Sequence, residues 1–386
     1  MKIVADENIV QASACFGGAG DLVLLPGRAI DAQAVRDADA LLVRSITQVN
    51  AKLLSGSRCR FVGTATSGID HVDMEWLRQQ GIGFCWAQGC NARSVVDYVF
   101  SVLAYLSLRD DFDWRALSFG IVGCGQIGSR LARQLLALRI RIAVYDPFLD
   151  ANHPLSGHLT DLATVLQQDV VTFHTPLTRS GPWPTLHILD APGLARLRPD
   201  TILINAARGG VIDNGALLAH LKERPEQRVV LDVWENEPAL DQHLLRRVAL
   251  GTAHIAGYSQ EGKLNGTRMI AKEFGRHFGV QLPVLVARGV GANTQLVVDA
   301  KLTLDGKLAA VQQLNHLLLQ VYDASRDDAL LRQTLETPDP AGQFDVLRKH
   351  YPVRHEFAEY YQPPGLDPEV GREASRLGFR SRLPIV

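Results

Sequence analysis

An arginine, a glutamate and a histidine, each standing just after a short apolar run, form the first chemical pattern in this sequence. Arg208 follows Thr201–Ala207, Glu237 follows the stretch from Val230 to Asn236, and His254 follows Leu250–Ala253. The apolar runs read as strands of a parallel sheet, and open parallel sheets bind ligands at the carboxyl ends of their strands. Histidine is the side chain best matched to accepting a proton near neutral pH. A carboxylate beside it orients the ring and stabilises the imidazolium. Arginine grips a carboxylate with two parallel donors, which lysine cannot match. Removing a hydride from a hydroxy acid needs these three groups and an open nicotinamide face. Taken singly, each residue reads equally well as a surface arginine, a helix-terminal glutamate or an internally satisfied histidine. Their placement after successive strands carries the argument.

A second pattern lies upstream. Gly120-Ile-Val-Gly-Cys-Gly-Gln-Ile-Gly128 sets Gly123, Gly125 and Gly128 in GxGxxG spacing. Glycine is common in this chain, so the setting says more than the spacing. A strand-like run precedes the loop, an amphipathic helical stretch follows, and Asp146 ends the next apolar run. There the first glycine permits a tight turn, the second lets a pyrophosphate approach the backbone, and the third lets helix and strand pack closely. Asp146 is placed to accept hydrogen bonds from the adenine ribose. A carboxylate repels a 2′-phosphate, and no arginine follows in Asp146-Pro147-Phe148, so NAD is expected rather than NADP. Cys124, a small residue in a crowded loop, needs no redox role.

These groups require elements to hold them. The first ninety residues alternate strand-like runs (Ile3–Ala5, Leu22–Leu25, Ala40–Val43, Arg60–Gly63, Gly83–Trp86) with helical stretches, the rhythm of a parallel sheet. Asn91–Leu108 reads as one long helix, with Val95, Val99, Val102, Leu103 and Leu106 on a buried face. The rhythm restarts with Leu117–Val122, Ile140–Tyr145, Val170–His174, Thr201–Asn205, Val229–Val233 and Val248–Gly251. Helical segments Ser129–Leu138, Leu162–Gln167 and Gly215–Lys222 separate them. A further helix runs to Phe278, and Gln281-Leu282-Pro283 reads as a linker. The remaining residues read as a small α+β unit: a strand over Thr294–Ala300, a helical stripe from Leu308 to Val321, a helix over Phe344–His350 and a strand over Glu356–Tyr361.

Other polar residues have weaker claims. Arg44-Ser45 and Thr66-Ser67-Gly68 each follow a strand-like run, with hydroxyls and amides suited to a phosphate or carboxylate. Arg44 equally suits a surface salt bridge. Arg93 opens the long helix beside its positive dipole end, which a bound anion or plain solvent exposure would explain. Asp70-His71-x-Asp73 reads as a turn and helix start capped by Asp70 or Asp73, not as a metal site. His153, His158, His187 and His243 fall in loops and are surface residues by default, and Trp183 between two prolines marks a rigid loop.

Length and composition bound the reading. The chain has 386 residues, enough for two or three domains, and its 46% apolar and 21% charged content excludes a disordered chain. Lys plus Arg number 40 against 41 Asp plus Glu, so no global basic field draws it to nucleic acid or an acidic membrane. The N-terminal apolar run breaks at Asp6 and Glu7, so no secretory signal is expected. Val95–Leu108 contains Asp97 and is too short to span a bilayer. Five cysteines without a CxxC pair fit reduced thiols. A cytoplasmic protein without metal, membrane or nucleic-acid partners is the expectation.

Five segments in order, GIVGCGQIGSRLA, FHTPLT, INAARGGVID, LDVWENEP and TAHIAGYS, resemble those of the D-isomer-specific 2-hydroxyacid dehydrogenases. The resemblance implies Arg208 as the carboxylate-binding residue, Glu237 as the partner of the histidine and His254 as the acid/base. It implies cofactor contacts from Gly123, Gly125, Gln126, Ile127, Gly128, Asp146, Thr175, Ala206, Asp232 and Gly257. A narrower likeness rests on Thr64–Asp73, Gly89–Arg93, His254–Ser259 with Glu261-Gly-Lys263, and the C-terminal unit. It points to the branch that oxidises 4-phospho-D-erythronate with NAD in vitamin B6 biosynthesis, with Ser45, Thr66 and Tyr258 touching substrate and Arg44 a phosphate candidate. The implied fold is α/β: a flavodoxin-like substrate domain (1–92 with 257–282), a Rossmann NAD domain (93–256), both doubly wound, and a small C-terminal α+β domain (283–386) that builds a homodimer. The alternatives are another member, acting on 3-phosphoglycerate or hydroxypyruvate, and an NAD(H)-sensing corepressor-like protein.

Overall fold

Short runs of Val, Ile, Leu and Ala form eleven strands among the residues that the computed structural model describes, 1–285 and 308–381. Every pairing between them is parallel. Parallel sheets are covered on both faces, which is why their strands read as continuous apolar runs. The chain divides into two compact units, one holding Met1–Asn91 with residues 259–285 and the other Ala92–Tyr258 with residues 308–381.

In the first unit β1 (Lys2–Asp6), β2 (Asp21–Leu25), β3 (Ala40–Val43), β4 (Phe61–Thr64) and β5 (Gly83–Trp86) lie in the order β2-β1-β3-β4-β5. This is the flavodoxin-like order, reversing direction between β1 and β3. Alternate residues feed two cores. Ile3, Ala5, Ala40 and Leu42 pack on one face with Phe16, Phe61 and Phe274, while Val4, Leu41, Val43 and Val62 pack on the other with Leu53, Leu54 and Leu77. The helix Gln260–Phe278 supplies Phe274 to the first face, and Ser259 caps it by accepting the Gly262 N–H at 2.8 Å.

In the second unit β6 (Phe119–Val122), β7 (Ile142–Tyr145), β8 (Val170–Phe173), β9 (Ile202–Asn205), β10 (Val229–Leu231) and β11 (Leu250–Gly251) lie in the order β7-β6-β8-β9-β10-β11. Outside β7 a single parallel bridge joins Val144 to Leu159. The connectivity is therefore that of a Rossmann sheet whose third strand is reduced to one residue pair, with its switch point between β6 and β8. Again the strands alternate: Phe119, Ile121, Ile202, Ile204 and Val230 enter one core, and Val122, Leu203, Val229 and Leu231 the other.

The long helix Ala92–Asp110 is buried almost all round, because C-terminal residues cover the side the sheet leaves open. Leu314, Leu317 and Leu318 of the helix Ala310–Val321 share its core, and the Trp114 indole N–H donates to Asn315 at 2.8 Å. Helices Ala324–Gln333, Pro340–Lys349 and Pro368–Leu377 follow. The helix expected from Phe344 starts at Pro340, because Asp339 caps it and proline favours the first helical position. The strand expected over Glu356–Tyr361 does not form. Phe357–Glu359 is a 3₁₀ turn and Tyr361 pairs only with Arg380. Its groups are claimed by side chains of the long helix: the Phe357 N–H donates to Asp97 at 2.9 Å, and Ser94 donates to the Glu356 carboxylate at 3.0 Å. The strand expected over 294–300 lies outside the described residues.

Candidate active site

All strands of the second sheet point the same way, so their carboxyl ends and the loops that follow line one edge. Gly123 follows β6 with φ +87°, and a Cβ there would stand 2.7 Å from Thr175 Cγ2 and 2.9 Å from the His174 carbonyl carbon. Glycine alone lets the loops after β6 and β8 meet at the switch point. A Cβ on Gly128 would strike the Gly123 carbonyl oxygen, whereas one on the exposed Gly125 meets no atom within 4 Å. The crest of the loop is thus open to a ligand while its base is closed. Gln126 is exposed beside Gly125, and Ile127 precedes the helix Gly128–Ala137.

Asp146, at the end of β7, accepts the Cys124 N–H at 2.8 Å and the Phe148 N–H at 3.1 Å, which fixes its carboxylate beside the glycine loop. The Thr175 hydroxyl is buried without a hydrogen-bond partner. His174 donates or accepts only at Nε2, 3.0 Å from Thr172, and burial brings its pKa down to about 3, so the ring stays neutral. A dinucleotide fits these features. It needs a backbone open to pyrophosphate, a carboxylate for ribose hydroxyls and a polar group left for it by the protein. Burial first, and Asp146 second, push the Cys124 thiol up to about 11, so it holds no thiolate at neutral pH.

His254 follows β11 in the left-handed region, φ +54°, and its N–H donates to the Asp232 carbonyl at 2.7 Å. The buried Asp232 carboxylate holds the same loop: it accepts the Thr252 hydroxyl at 2.7 Å, the Ile255 N–H at 2.8 Å and the Ala256 N–H at 3.0 Å. Gly257, half-buried, comes next. Glu237 lies with one oxygen 2.7 Å from His254 Nδ1 and the other accepting the Trp234 N–H at 2.8 Å. An ionised carboxylate only accepts, so Nδ1 carries the ring proton and Nε2 presents a lone pair. Burial works to raise the Glu237 pKa, but the neighbouring His254 and the Trp234 N–H outweigh it and hold the group below its ordinary value. The carboxylate is ionised throughout the neutral range.

Arg208 is half-buried in the loop after β9, where its guanidinium donates to the Ala207 carbonyl at 2.7 Å. Asn205 braces that loop, donating to the Arg208 carbonyl at 3.0 Å and accepting the Ala207 N–H at 3.1 Å; Ala206 is buried between them. A Cβ on Gly209 would overlap the Trp234 carbonyl, so the loops after β9 and β10 are in direct contact. Arg208, Glu237 and His254 thus come from three adjacent strand ends. Tyr258, beyond the histidine, meets the ring of Tyr351 edge-on at 5.6 Å.

In the first unit the candidates cluster at the ends of β3 and β4. The Thr66 hydroxyl is 2.7 Å from that of Thr64 and donates to the Gly68 carbonyl at 2.9 Å. His71 is buried with Nε2 3.0 Å from Thr64, and Asp73 caps the helix Met74–Gln79, as its spacing suggested. Ser45 is exposed, and half-buried Arg44 has no ion pair among the described residues. Two readings change. Arg93 needs no external anion, since Glu356 stands 3.6 Å away, and its side chain keeps 40% of its surface in solvent. His187 is not a plain surface histidine: it is half-buried, with Nε2 2.7 Å from Glu235 and Nδ1 3.7 Å from Asp213. Trp183 is half-exposed. Arg348, a C-terminal residue beside Tyr258, had no local signal in the sequence.

A model described as the NAD binding domain of D-isomer specific 2-hydroxyacid dehydrogenases matches residues 109–256, and a Domain of unknown function (DUF3410) matches residues 298–362. Erythronate-4-phosphate dehydrogenase of Cellvibrio japonicus is 47% identical over 98% of this chain and 100% of its own. That of Serratia proteamaculans is 48% identical over 93% of this chain and 94% of its own. Among solved structures, NAD-bound 3-phosphoglycerate dehydrogenase of Entamoeba histolytica shares the fold, with TM-score 0.62, 22% identity, and coverage of 72% of this chain and 95% of that one. D-Lactate dehydrogenase of Aquifex aeolicus, complexed with NAD and lactic acid, gives TM-score 0.59 at 20% identity over 72% and 96%. With its dinucleotide loop and its Arg-Glu-His edge inside the matched region or at its border, and near-half identity along its whole length, the chain is an NAD-dependent dehydrogenase and belongs to the erythronate-4-phosphate dehydrogenase family of the D-isomer specific 2-hydroxyacid dehydrogenases.

Proposed function

We propose that the protein oxidises 4-phospho-D-erythronate at C2 to (R)-3-hydroxy-2-oxo-4-phosphooxybutanoate with NAD, a step in pyridoxal 5′-phosphate biosynthesis. The observation that carries this is the His254–Glu237 pair at 2.7 Å, with Arg208 following a neighbouring strand of the same sheet, in a chain aligned end to end with erythronate-4-phosphate dehydrogenases. His254 accepts the C2 hydroxyl proton at Nε2, the nitrogen that Glu237 leaves free. Glu237 then stabilises the imidazolium across the short Nδ1 contact. Arg208 holds the substrate carboxylate and polarises the carbonyl as it forms. When bound, NAD supplies the acceptor for the hydride that C2 gives up. Gly123, Gly125, Gln126, Ile127, Gly128, Asp146, Thr175, Ala206, Asp232 and Gly257 are proposed to hold the cofactor.

Roles for Arg44, Ser45, Thr66 and Tyr258 as substrate contacts belong to the same proposal and rest on the chemistry of their own loops. So do the functional partition into substrate-binding (1–92 with 257–282), NAD-binding (93–256) and C-terminal (283–386) domains, a homodimer built through the last, and a cytoplasmic location. No helix among the described residues is long and apolar enough to cross a membrane. Sedimentation equilibrium tests the dimer: a species of a single chain's mass, 42.3 kDa, would exclude it. The activity is tested by NADH formation with 4-phospho-D-erythronate, D-erythronate and 3-phospho-D-glycerate, with a 2-oxo acid present in a parallel run to reoxidise retained NADH. Preference for phosphoglycerate would keep the mechanism and replace the substrate. Bound NAD without turnover of any acid would favour a nucleotide-sensing role.

A further inference from the structure

The helix Pro340–Lys349 places Arg348 in its last turn, and the guanidinium lies over the Tyr258 ring at 5.8 Å and over Phe344 at 5.9 Å. A cation in a helix's last turn is ordinary. This one is not, because its Nε is buried with no hydrogen-bond partner and no carboxylate pairs with it among the described residues. Its polar surroundings are Tyr258, within hydrogen-bonding reach, and the charges of Glu237 and Asp232 further off. Burial opposes its charge, but these neighbours keep the guanidinium protonated. Arg348 is half-buried, and an Nε withdrawn from water without an acceptor carries a desolvation cost that an anion completing the site would offset. The anions at hand are part of the machinery: Glu237 is committed to His254 and Trp234, and Asp232 to the loop of His254.

We infer that Arg348 is a specificity-determining residue that takes the phosphate monoester of the substrate, with Tyr258 as the platform that holds its guanidinium in place. The C-terminal segment, which carries no nucleotide loop, thereby supplies a second anion clamp to the edge where Arg208 holds the carboxylate. This rests on the proposed function for the identity of the substrate, though not for the chemistry, since any phosphorylated hydroxy acid would be read the same way.

The test compares the NAD-loaded wild type with Arg348→Gln and Arg348→Lys, using 4-phospho-D-erythronate and D-erythronate. Losing a charge-assisted, two-pronged phosphate contact should lower kcat/KM for the phosphorylated acid about 10–100-fold, chiefly through KM. Lysine should recover part of the loss, and the value for D-erythronate should stay within about threefold. A purely structural role would lower both acids together, and that outcome, or an unchanged ratio, overturns the inference. Should Arg348→Gln melt well below the wild type, Arg348→Met, which keeps the apolar stem against Tyr258, takes its place. Calorimetric titration with inorganic phosphate gives a readout free of turnover. If the wild type oxidises neither acid, the proposed function fails by itself. Phosphate binding that weakens at least tenfold in the variant still upholds Arg348, while equal binding, or none to the wild type, overturns it.

Discussion

Replacing Glu237 by glutamine isolates what the carboxylate does for the histidine. The side chains have the same shape, but two donors converge on Glu237, His254 Nδ1–H at 2.7 Å and the Trp234 N–H at 2.8 Å. Glutamine has one oxygen to offer them. Its charge is also gone when the imidazolium forms. Two unit charges about 4 Å apart interact by about 4 kcal/mol at an effective dielectric constant of 20. His254 and Glu237 keep 31% and 19% of their side-chain surface in solvent, so roughly half of that survives screening, about 2 kcal/mol. The mismatched donor adds about 1 kcal/mol. Together they predict a fall of about 100-fold in the hydride-transfer rate, with KM changed little because neither donor touches the substrate. Single-turnover NADH formation is the assay, since steady-state rates are masked wherever product release is slow. The depressed pKa of Glu237 keeps it charged across the neutral range, so titration of the carboxylate itself adds no pH dependence to the deficit there. A variant within threefold of the wild type in single turnover would refute both the tautomer assignment and the electrostatic role.

Three further outcomes follow from the same geometry. Fully buried Asp97 is pushed up to about 8, by burial first and by Glu356 second. The native state therefore keeps a proton that the unfolded chain releases near pH 4, and stability falls as pH rises between those values; Asp97→Asn should remove that slope and gain about 1–3 kcal/mol at pH 8.5 by chemical denaturation. Gly125→Ala meets no protein atom within 4 Å and should melt like the wild type while binding NAD at least about tenfold more weakly, whereas Gly123→Ala, at φ +87° and 2.7 Å from Thr175, should lose both stability and NAD affinity; equal melting and equal affinity in the first variant would remove the cofactor from the loop's crest. Asp146→Ser should weaken NAD and admit NADP, narrowing their kcat/KM ratio by about 10–100-fold, and an unchanged ratio would deny the carboxylate its discriminating role.

Both sheets were legible because a parallel strand buried on two faces must be apolar throughout, and runs such as Ala40–Val43 and Gly83–Trp86 coincide with observed strands. Elements that depend on partners were not. Leu159 forms the remnant of a third Rossmann strand through a single bridge to Val144, too little to leave a run. Glu356–Tyr361 has a strand's composition, but Asp97 and Ser94, far away in sequence, engage its residues and bend it into a turn. Local propensity loses there to acceptors that no local reading can see.

The same division runs through the site. Arg208, Glu237 and His254 announce themselves because each follows a strand, and a parallel sheet delivers every strand end to one edge. What makes them a constellation is less visible. Asp232 spends its whole carboxylate on Thr252, Ile255 and Ala256, so the residue that reads as a cofactor contact is also the clamp that sets His254 at φ +54°. The two roles are separable. Asp232→Asn keeps one oxygen for these three donors and turns an N–H₂ toward a backbone N–H, at a cost of about 2–3 kcal/mol. If clamping dominates, single-turnover hydride transfer should fall in step with melting temperature while NAD affinity holds. If cofactor contact dominates, affinity should fall first. Arg348 stands at the far limit of legibility: its meaning comes from Tyr258 and an unsatisfied Nε, both supplied by the fold and neither by its neighbours in sequence.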